Sequence, residues 1–301
     1  MQQKCSISHS KQRITRLTLD KRLSIDEWIS ARNNELHCES HKLAKARNRL
    51  QNKIALVTGA ADGIGFEIAR AFAEEAAVVC MIDCNADKLH EQVKRIQDLS
   101  LKVLAIPGDV GHSKDVQHAV HTALDQFGRL DVLVNNAAVA IPGDITDQSD
   151  EDWNQLLSTN LLGVFRGIKY ALPTMLAQKS GSIINIASVQ GDRSFDHWTT
   201  YAAAKGAIKA MTRQLAGQYG PQGIRFNCIS PGAMKTPMNE ARRIREGTPF
   251  DEMTSRIHAL GRMGEAHEVN GAAIFLASDE SAFVTGIDLL VDGGLSVLPR
   301  S

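Results

Sequence analysis

Length, composition and charge exclude several classes of protein. The chain has 301 residues and 43% of them are hydrophobic, so it can bury a substantial core and is not disordered as a whole. Lysine plus arginine and aspartate plus glutamate balance at 34 each, which gives no overall signal for binding nucleic acid. No apolar run approaches the length of a membrane span, and no signal-peptide core is present. We therefore expect neither nucleic acid nor a membrane among its partners.

The cysteines favour a reducing compartment and no metal site. They are odd in number and scattered, and no cysteine or histidine cluster has the spacing of a zinc site. Buried thiols explain this pattern best, so we expect a cytoplasmic protein without a bound metal. The cysteines are Cys5, Cys38, Cys80, Cys84 and Cys228.

Residues 1–50 differ in charge from the rest of the chain. They carry 11 basic and 5 acidic side chains, a net charge of +6 that the remainder offsets with −6. Residues 1–19 have four basic residues and no acid, which faintly resembles a mitochondrial transit peptide, so a mitochondrial location is the alternative. A disordered basic tail or a mis-assigned start codon would explain the same pattern. We predict a poorly ordered extension, 1–50, followed by one domain, 51–301.

From residue 53 onward, strand-like and helical stretches alternate. Strand-like runs lie at 54–57, 76–82, 102–106, 130–134, 182–187, 223–228 and 286–291. Helical patterns lie at 64–75, 86–99, 113–127, 150–178, 200–219 and 265–277, and Pro173 is expected to bend or interrupt the fourth. Residues 239–260 are charged and are predicted to be irregular. This alternation predicts an α/β fold of the Rossmann type, a doubly wound parallel sheet of about seven strands with its binding chemistry at the strands' carboxyl ends.

A glycine-rich turn joins the first strand to the first helix. Residues 58–65 have the sequence TGAADGIG. Glycines in this position let the backbone approach a pyrophosphate, which the N-terminus of the helix then holds. The candidate cofactor-binding residues here are Gly59, Asp62, Gly63, Ile64 and Gly65.

Asp83 closes the second strand-like run, 18 residues after Gly65. An acid in this position can accept hydrogen bonds from the ribose hydroxyls of an adenosine and repels a 2′-phosphate. No arginine or lysine stands at positions 60, 61, 84 or 85 to bind such a phosphate. The sequence therefore predicts NAD(H) as the cofactor rather than NADP(H).

Tyr201 and Lys205 are four residues apart in a predicted helix, so their side chains share one face. An ammonium beside a phenol favours the phenolate, which would let the tyrosine exchange a proton near neutral pH. Ser188 ends a strand-like run thirteen residues upstream of Tyr201 and would add a hydroxyl donor. Together the three would suit polarising and protonating a carbonyl.

In this order and spacing, residues 51–298 resemble the classical short-chain dehydrogenase/reductase family. The motif Asn-Asn-Ala-Ala at 135–138 matches the family's fourth-strand element, with Ala138 in place of the usual glycine, which puts only local geometry in doubt. The resemblance implies further cofactor contacts at the adenine, the fourth strand and the nicotinamide: Asp109, Val110, Asn136, Tyr201, Lys205, Pro231, Gly232 and Thr236.

The resemblance also implies a catalytic tetrad of Asn160, Ser188, Tyr201 and Lys205. Ser188 would hydrogen-bond the substrate oxygen, and Tyr201 would be the general acid in reduction or the general base in oxidation. Lys205 would lower the pKa of the tyrosine and bind the nicotinamide ribose. Asn160 would hold a water that links Lys205 to solvent. Ser188, Gln190 and Tyr201 are the candidate substrate contacts.

Two variable segments in this family face the substrate. The loop after Ser188 holds Gln190, Asp192, Arg193, Phe195, His197 and Trp198, and the lid at 238–260 holds Arg242, Arg243 and Arg245. His197 could contact an anionic or polyol substrate, although a structural role explains it as well. The arginine cluster could attract an acidic substrate, although a solvated helix face is the commoner explanation.

The expected function is that of an NAD(H)-dependent oxidoreductase which moves a hydride between nicotinamide and a secondary alcohol or ketone, such as a sugar, polyol, hydroxyacid or secondary metabolite. A 3-oxoacyl-carrier-protein reductase is an alternative, although such enzymes usually favour NADPH. A non-catalytic NAD(H)-binding or redox-sensing protein is the alternative from another class. The resemblance implies a homotetramer or homodimer, with the helices at 150–178 and 200–219 between subunits.

Overall fold

The structure, a computed structural model, describes residues 48–298. Its strands are β1 (Ile54–Thr58), β2 (Val78–Asp83), β3 (Val103–Pro107), β4 (Val132–Asn135), β5 (Gly181–Ile186), β6 (Ile224–Pro231), β7 (Met234–Lys235), β8 (Gly264–Glu265) and β9 (Asp288–Val291). Within the described residues, seven of them form one parallel sheet in the order β3-β2-β1-β4-β5-β6-β9. β7 and β8 form a separate pair. The predicted seven-stranded parallel sheet is confirmed.

Helices cover both faces of the sheet. They are α1 (Gly63–Glu74), α2 (Ala86–Gln97), α3 (Ser113–Phe127), α4 (Asp150–Leu157), α5 (Gly163–Gln178), α6 (Thr199–Tyr219), α7 (Pro237–Glu246), α8 (Thr248–Ile257) and α9 (Asn270–Ala277). One core cluster joins the sheet to α1, α2 and α9, and the other joins it to α3, α5 and α6. β1 is buried along its whole length, as a strand covered on both faces must be. The molecule is therefore a doubly wound α/β fold of the Rossmann type.

The predicted helical region 150–178 is helical along its whole length. α4 and α5 are joined by a π-helical turn, Ser158–Leu162, while Pro173 lies inside α5. The irregular turn therefore lies before Pro173 and not at it. The π turn carries Asn160, whose buried amide binds the backbone of Val139 on both its nitrogen and its oxygen.

The prediction that residues 239–260 are irregular was wrong, because α7 and α8 lie there. The hydroxyl of Thr236 accepts a hydrogen bond from the backbone N–H of Asn239 and so caps α7. Pro237 occupies the first helical position. Both are local signals for a helix start that the charged composition obscured. The predicted helix 265–277 is also shorter than expected, since a 3₁₀ turn at Ala266–Val269 precedes α9.

The predicted extension, 1–50, lies outside the described residues up to position 47, and so do Cys5 and Cys38. Residues 48–50 belong to the folded domain: Leu50 is fully buried, and the Arg49 guanidinium binds the carboxylate of Glu280. Leu50 therefore packs in the core of the domain, although the predicted boundary assigns it to the extension.

Candidate active site

A cleft of about 360 Å³ lies at the carboxyl ends of the parallel strands, where the strand order reverses between β1 and β4. Open parallel sheets bind their ligands in this position. The cleft brings together all but one of the predicted cofactor-binding residues: Gly59, Asp62, Gly63, Ile64, Asp83, Asp109, Val110, Asn136, Tyr201, Lys205, Pro231, Gly232 and Thr236.

The exception is Gly65, which does not line the cleft but allows the close packing of the glycine turn. A Cβ atom on Gly65 would lie 2.1 Å from the carbonyl oxygen of Gly59, so only glycine lets α1 start this close to β1. Gly59 itself has a φ of +64°, and a Cβ there would lie 2.8 Å from the Cα of Ala137. The turn thus leaves bare backbone facing the cleft, in front of the N-terminus of α1.

Asn136 ties this turn to β4. Its amide nitrogen donates to the carbonyl oxygens of Thr58, at 2.9 Å, and Gly59, at 3.1 Å. The Thr58 hydroxyl in return accepts from the backbone N–H groups of Asn136 and Ala137. Asn136 therefore holds the glycine turn in shape and also lies in the cleft wall.

Asp83 presents its carboxylate at the end of β2. One carboxylate oxygen accepts from the backbone N–H of Ala61 at 3.0 Å, and the other accepts from that of Asn85 at 2.9 Å. These bonds fix the carboxylate at the edge of the cleft. The ammonium of Lys88, one turn into α2, binds the carboxylate of Asp62.

Ser188, Tyr201 and Lys205 meet at the far end of the cleft. The Lys205 ammonium donates to the carbonyl oxygen of Ile186 at 2.7 Å and lies 5.4 Å from the centroid of the Tyr201 ring. α6 carries both side chains on one face, one turn apart, as the spacing predicts. β5 ends just before Ser188 and places its hydroxyl opposite that face.

Burial controls the protonation of this group. It raises the pKa of Tyr201 to about 12, while a hydrogen bond with Ser188 acts in the opposite direction. Burial also lowers the pKa of Lys205 to about 8. Burial is the largest cause of the shift in the tyrosine, so a lowering of its pKa by Lys205 stays a prediction.

Asn160 does not lie in the cleft wall, although its neighbour Thr159 does. Both ends of its amide bind Val139, the oxygen accepting from the backbone N–H at 2.8 Å and the nitrogen donating to the carbonyl at 2.9 Å. The side chain thus fixes the strand extension after β4.

A second, smaller space of about 100 Å³ adjoins the cleft at Ser188 and Tyr201, and we name it the lid chamber. Its walls come from the loop after Ser188 and from α7 and α8. Of the six predicted loop residues, three line it: Gln190, Phe195 and Trp198. Arg242 from α7 also lines it, whereas Arg243 does not and the side chain of Arg245 lies outside the description.

The remaining loop residues have other contacts. Asp192 pairs with the buried ammonium of Lys209, which also binds the Asp288 carboxylate at 2.8 Å. His197 is exposed, and its Nδ1 lies 2.7 Å from a carboxylate oxygen of Asp144. Both therefore support the loop and do not enter the lid chamber.

Several cleft residues were missed from the sequence. Most lie one or two positions from a recognised motif, so they could have been predicted from their position at the carboxyl ends of the predicted strands. They are Ile82, Cys84, Ala137, Val139, Ile186 and Ala187. Met234, Met238 and Asn239 follow the nicotinamide segment and depend on the lid. Nothing in the sequence indicates that Lys209 is buried in an ion pair, because its two acidic partners, Asp192 and Asp288, are distant in the sequence.

Two further properties concern the described residues. No group of three or more histidine, cysteine, aspartate or glutamate side chains is arranged there to hold a metal ion. Nor does any helix between residues 48 and 298 combine the length and apolar character needed to cross a membrane.

Comparison with known proteins identifies the family. A family model described as enoyl-(acyl carrier protein) reductase matches residues 59–296. The chain belongs to the short-chain dehydrogenase/reductase family. This short-chain dehydrogenase is 37% identical over 253 residues to 2,5-dichloro-2,5-cyclohexadiene-1,4-diol dehydrogenase LinX of Sphingobium indicum, covering 83% of this chain and 98% of that one. It is 38% identical to the 3-oxoacyl-[acyl-carrier-protein] reductase FabG of Thermotoga maritima, covering 83% and 100%.

A solved structure supports the same placement. The gluconate 5-dehydrogenase of Burkholderia cenocepacia, in complex with NADP and tartrate, superposes with a TM-score of 0.80 at 34% identity, covering 85% of this chain and 100% of that one. The chain is thus an oxidoreductase that transfers a hydride between a nicotinamide cofactor and an alcohol or ketone. The cleft fits such a cofactor, since Gly59 and Gly63 line it without side chains beside the N-terminus of α1 and Asp83 offers fixed acceptors for hydroxyl groups.

Proposed function

We propose that this short-chain dehydrogenase is an NAD(H)-dependent enzyme that interconverts a secondary alcohol and a ketone, with Tyr201 as the proton-transferring group. The observation that carries the proposal is the position of Tyr201, half-buried beside Ser188 where the cofactor cleft meets the lid chamber. A substrate oxygen in that position would lie beside both hydroxyl groups. When bound, the nicotinamide supplies or accepts the hydride.

The protein groups have separate roles in this proposal. Ser188 hydrogen-bonds the substrate oxygen, and Tyr201 donates its proton to that oxygen in reduction or removes one in oxidation. The raised pKa of Tyr201 keeps the phenol protonated at neutral pH, ready to donate. Lys205, fixed by Ile186, offers its remaining N–H donors to the nicotinamide ribose and helps the proton to leave. Asn160 holds the segment at Val139 and is a positioning residue here.

A preference for NAD(H) rests on Asp83. Its carboxylate is held at the cleft edge by two backbone N–H donors, so a 2′-phosphate nearby would meet a fixed negative charge. The basic side chain of Lys88, in the first turn of α2, is paired with Asp62. The gluconate 5-dehydrogenase relative was solved with NADP, so the cofactor comparison is a direct test of this proposal.

The names of the relatives support a secondary alcohol as the substrate without choosing one. They include a diol dehydrogenase, a gluconate 5-dehydrogenase and a 3-oxoacyl reductase. A role like that of the 3-oxoacyl reductase is the second candidate, favoured by the 38% identity to the Thermotoga enzyme. The lid chamber is small, so an acyl chain would require α7 and α8 to open. We do not favour a non-catalytic role, because Ser188, Tyr201 and Lys205 converge in the cleft.

We also propose a homo-oligomer, a cytoplasmic location and, from the predicted extension 1–50, a separate segment that ends before residue 48. Leu162 and Phe165 lie around the start of α5 and are 44% and 47% exposed, which suits a subunit contact through that surface. Cys80, Cys84 and Cys228 are free thiols, which supports a reducing compartment, although Cys84 is exposed and not buried as expected. Sedimentation velocity that finds only monomer would exclude the oligomer, and fractionation of cells would test the location against the mitochondrial alternative.

The experiment that tests the function is a panel of secondary alcohols and ketones with NAD(H), followed by the absorbance of NADH. We expect turnover by the wild type, and a loss of about 1,000-fold or more in Tyr201→Phe, because general acid–base catalysis contributes on the order of 10²–10⁴-fold. Tyr219→Phe is the matched control, since Tyr219 packs on Phe226 away from the cleft. Equal activity of the two variants would exclude Tyr201 as the proton-transferring group.

A further inference from the structure

The lid chamber has a mixed polar and apolar lining and contains one basic side chain. Aromatic and aliphatic side chains form much of its wall, including Phe195, Trp198, Phe250 and Ile257. Among its described lining residues, Arg242 is the one charged side chain. A cation in a small, partly enclosed chamber attracts an anion more strongly than it would in water, because the effective dielectric constant is lower.

Two aromatic rings orient this guanidinium. Its carbon lies 5.6 Å from the centroid of the Trp198 ring and 5.0 Å from that of Phe250. Trp198 in turn packs edge-on against Tyr201, with ring centroids 5.5 Å apart. Cation–π contacts hold the planar group in place. A guanidinium has five N–H donors in its plane, so a contact on one edge still leaves donors for a carboxylate.

Gln190 adds a hydrogen-bonding group on the same chamber. Its side-chain oxygen is buried and has no hydrogen-bond partner among the described residues. Its backbone N–H donates to the hydroxyl of Ser188 at 3.2 Å, which places it next to the reacting group. A buried acceptor without a donor costs free energy, so a substrate hydroxyl that fills this gap would bind favourably.

We propose that the substrate is a small hydroxycarboxylic acid, or the matching oxo acid, whose carboxylate binds Arg242. A hydroxyl next to the reacting carbon would donate to Gln190, while the reacting oxygen lies at Ser188 and Tyr201. This inference rests on the proposed function and narrows its substrate class. The carboxylate is unchanged in the reaction: the alcohol carbon loses two electrons and becomes a carbonyl, NAD⁺ is reduced to NADH, and one proton is released.

The test compares acids with neutral alcohols of the same skeleton. Suitable pairs are lactate with 1,2-propanediol, 3-hydroxybutyrate with 1,3-butanediol, and threonate with threitol, each with NAD⁺. We expect the wild type to favour the acid in at least one pair. Arg242→Met should lower the ratio of kcat/KM for acid over alcohol about 100-fold, since loss of a partner from a buried charged pair is costly.

Arg243→Met is the matched control. Arg243 is the next residue of α7, pairs with Glu240, and does not line the lid chamber, so the same charge change should leave the ratio unaltered. Should Arg242→Met fail to fold, Gln190→Glu puts a negative charge in the chamber and is expected to lower the same ratio. An equal loss for acids and alcohols in Arg242→Met, or a wild type that favours the alcohols, would overturn the inference.

A binding measurement separates this inference from the proposed function. Quenching of tryptophan fluorescence by threonate, with threitol as the reference, follows the lid chamber through Trp198 without any turnover. Selective binding of threonate that is lost in Arg242→Met would support the carboxylate site even if the panel gave no activity. Turnover of neutral secondary alcohols with no selective binding of acids would leave the proposed function standing and refute the inference.

Discussion

Replacing Lys205 with methionine should make the protein more stable while it abolishes turnover. The ammonium is buried, and burial lowers its pKa from the ordinary 10.5 to about 8. At pH 7 a lowering of that size costs the folded state about 3 kcal/mol. Methionine fills a similar volume without a charge. It also leaves the Ile186 carbonyl without its donor, a loss of about 1 kcal/mol, so the expected net gain is about 2 kcal/mol.

The pH dependence fixes the sign of this prediction. The folded pKa of Lys205 lies below its unfolded value, so the cost is fully present below pH 8 and disappears by about pH 10.5. The stability advantage of Lys205→Met should therefore be greatest near neutral pH and vanish or reverse by pH 10.5. Urea unfolding without NAD(H), at pH 7 and pH 10, measures this difference.

An exposed lysine supplies the control for this experiment. Lys94 lies on the outer face of α2, so Lys94→Met should change the free energy of unfolding by less than about 0.5 kcal/mol at either pH. A Lys205→Met variant that is less stable than the wild type at pH 7, or a difference that does not depend on pH, would refute the reasoning. It would mean that the buried ammonium does not cost stability in the folded protein.

Three other predictions follow from the same structure. Lys209→Met should destabilise the protein by about 2 kcal/mol in urea unfolding, because it leaves Asp192 and Asp288 without their cation, and unchanged or greater stability would contradict this. Asp83→Asn should raise kcat/KM for NADP(H) relative to NAD(H) about 10-fold or more, since a fixed negative charge is removed. An unchanged ratio would argue against Asp83 as the selecting residue. The rate of alcohol oxidation should rise with pH from 7 to 9, because the raised pKa of Tyr201 keeps its base form scarce, and a flat profile for the chemical step would contradict it.

The fold was predictable because its signals are local. Alternation of short apolar runs with helical patterns gave the parallel sheet, and the glycine turn between β1 and α1 marked the end of the first strand. The four-residue spacing of Tyr201 and Lys205 gave their common face on α6. These features depend on neighbours within a few residues, which one sequence displays directly.

The electrostatics of the site were not predictable in the same way. The pKa of Tyr201 depends on how deeply the phenol is buried, and spacing alone says only that a cation is near. Lys209 on α6 pairs with Asp288 on β9, and these two residues are far apart in the sequence. Nothing in the local sequence distinguishes Arg242 from Arg243, although one faces the lid chamber and the other pairs with Glu240 on the surface.

The sequence before the lid contains local signals for the start of a helix, but the charged composition of the segment was given more weight. Thr236 and Pro237 form a cap and a first helical residue, and the helix they start is α7. The high charge of the segment favoured an irregular prediction. The π turn at Asn160 is different, since it depends on the contact of that amide with Val139, which only the assembled fold provides.

The central claim is that this site moves a hydride between nicotinamide and the carbon of a secondary alcohol, with Tyr201 handling the proton. The most direct measurement uses a turned-over alcohol deuterated at that carbon and determines the mass of the NADH formed. The account predicts one deuterium in the NADH made by the wild type and no NADH above background from Tyr201→Phe. Unlabelled NADH from the wild type, or labelled NADH from Tyr201→Phe at the wild-type rate, would contradict it.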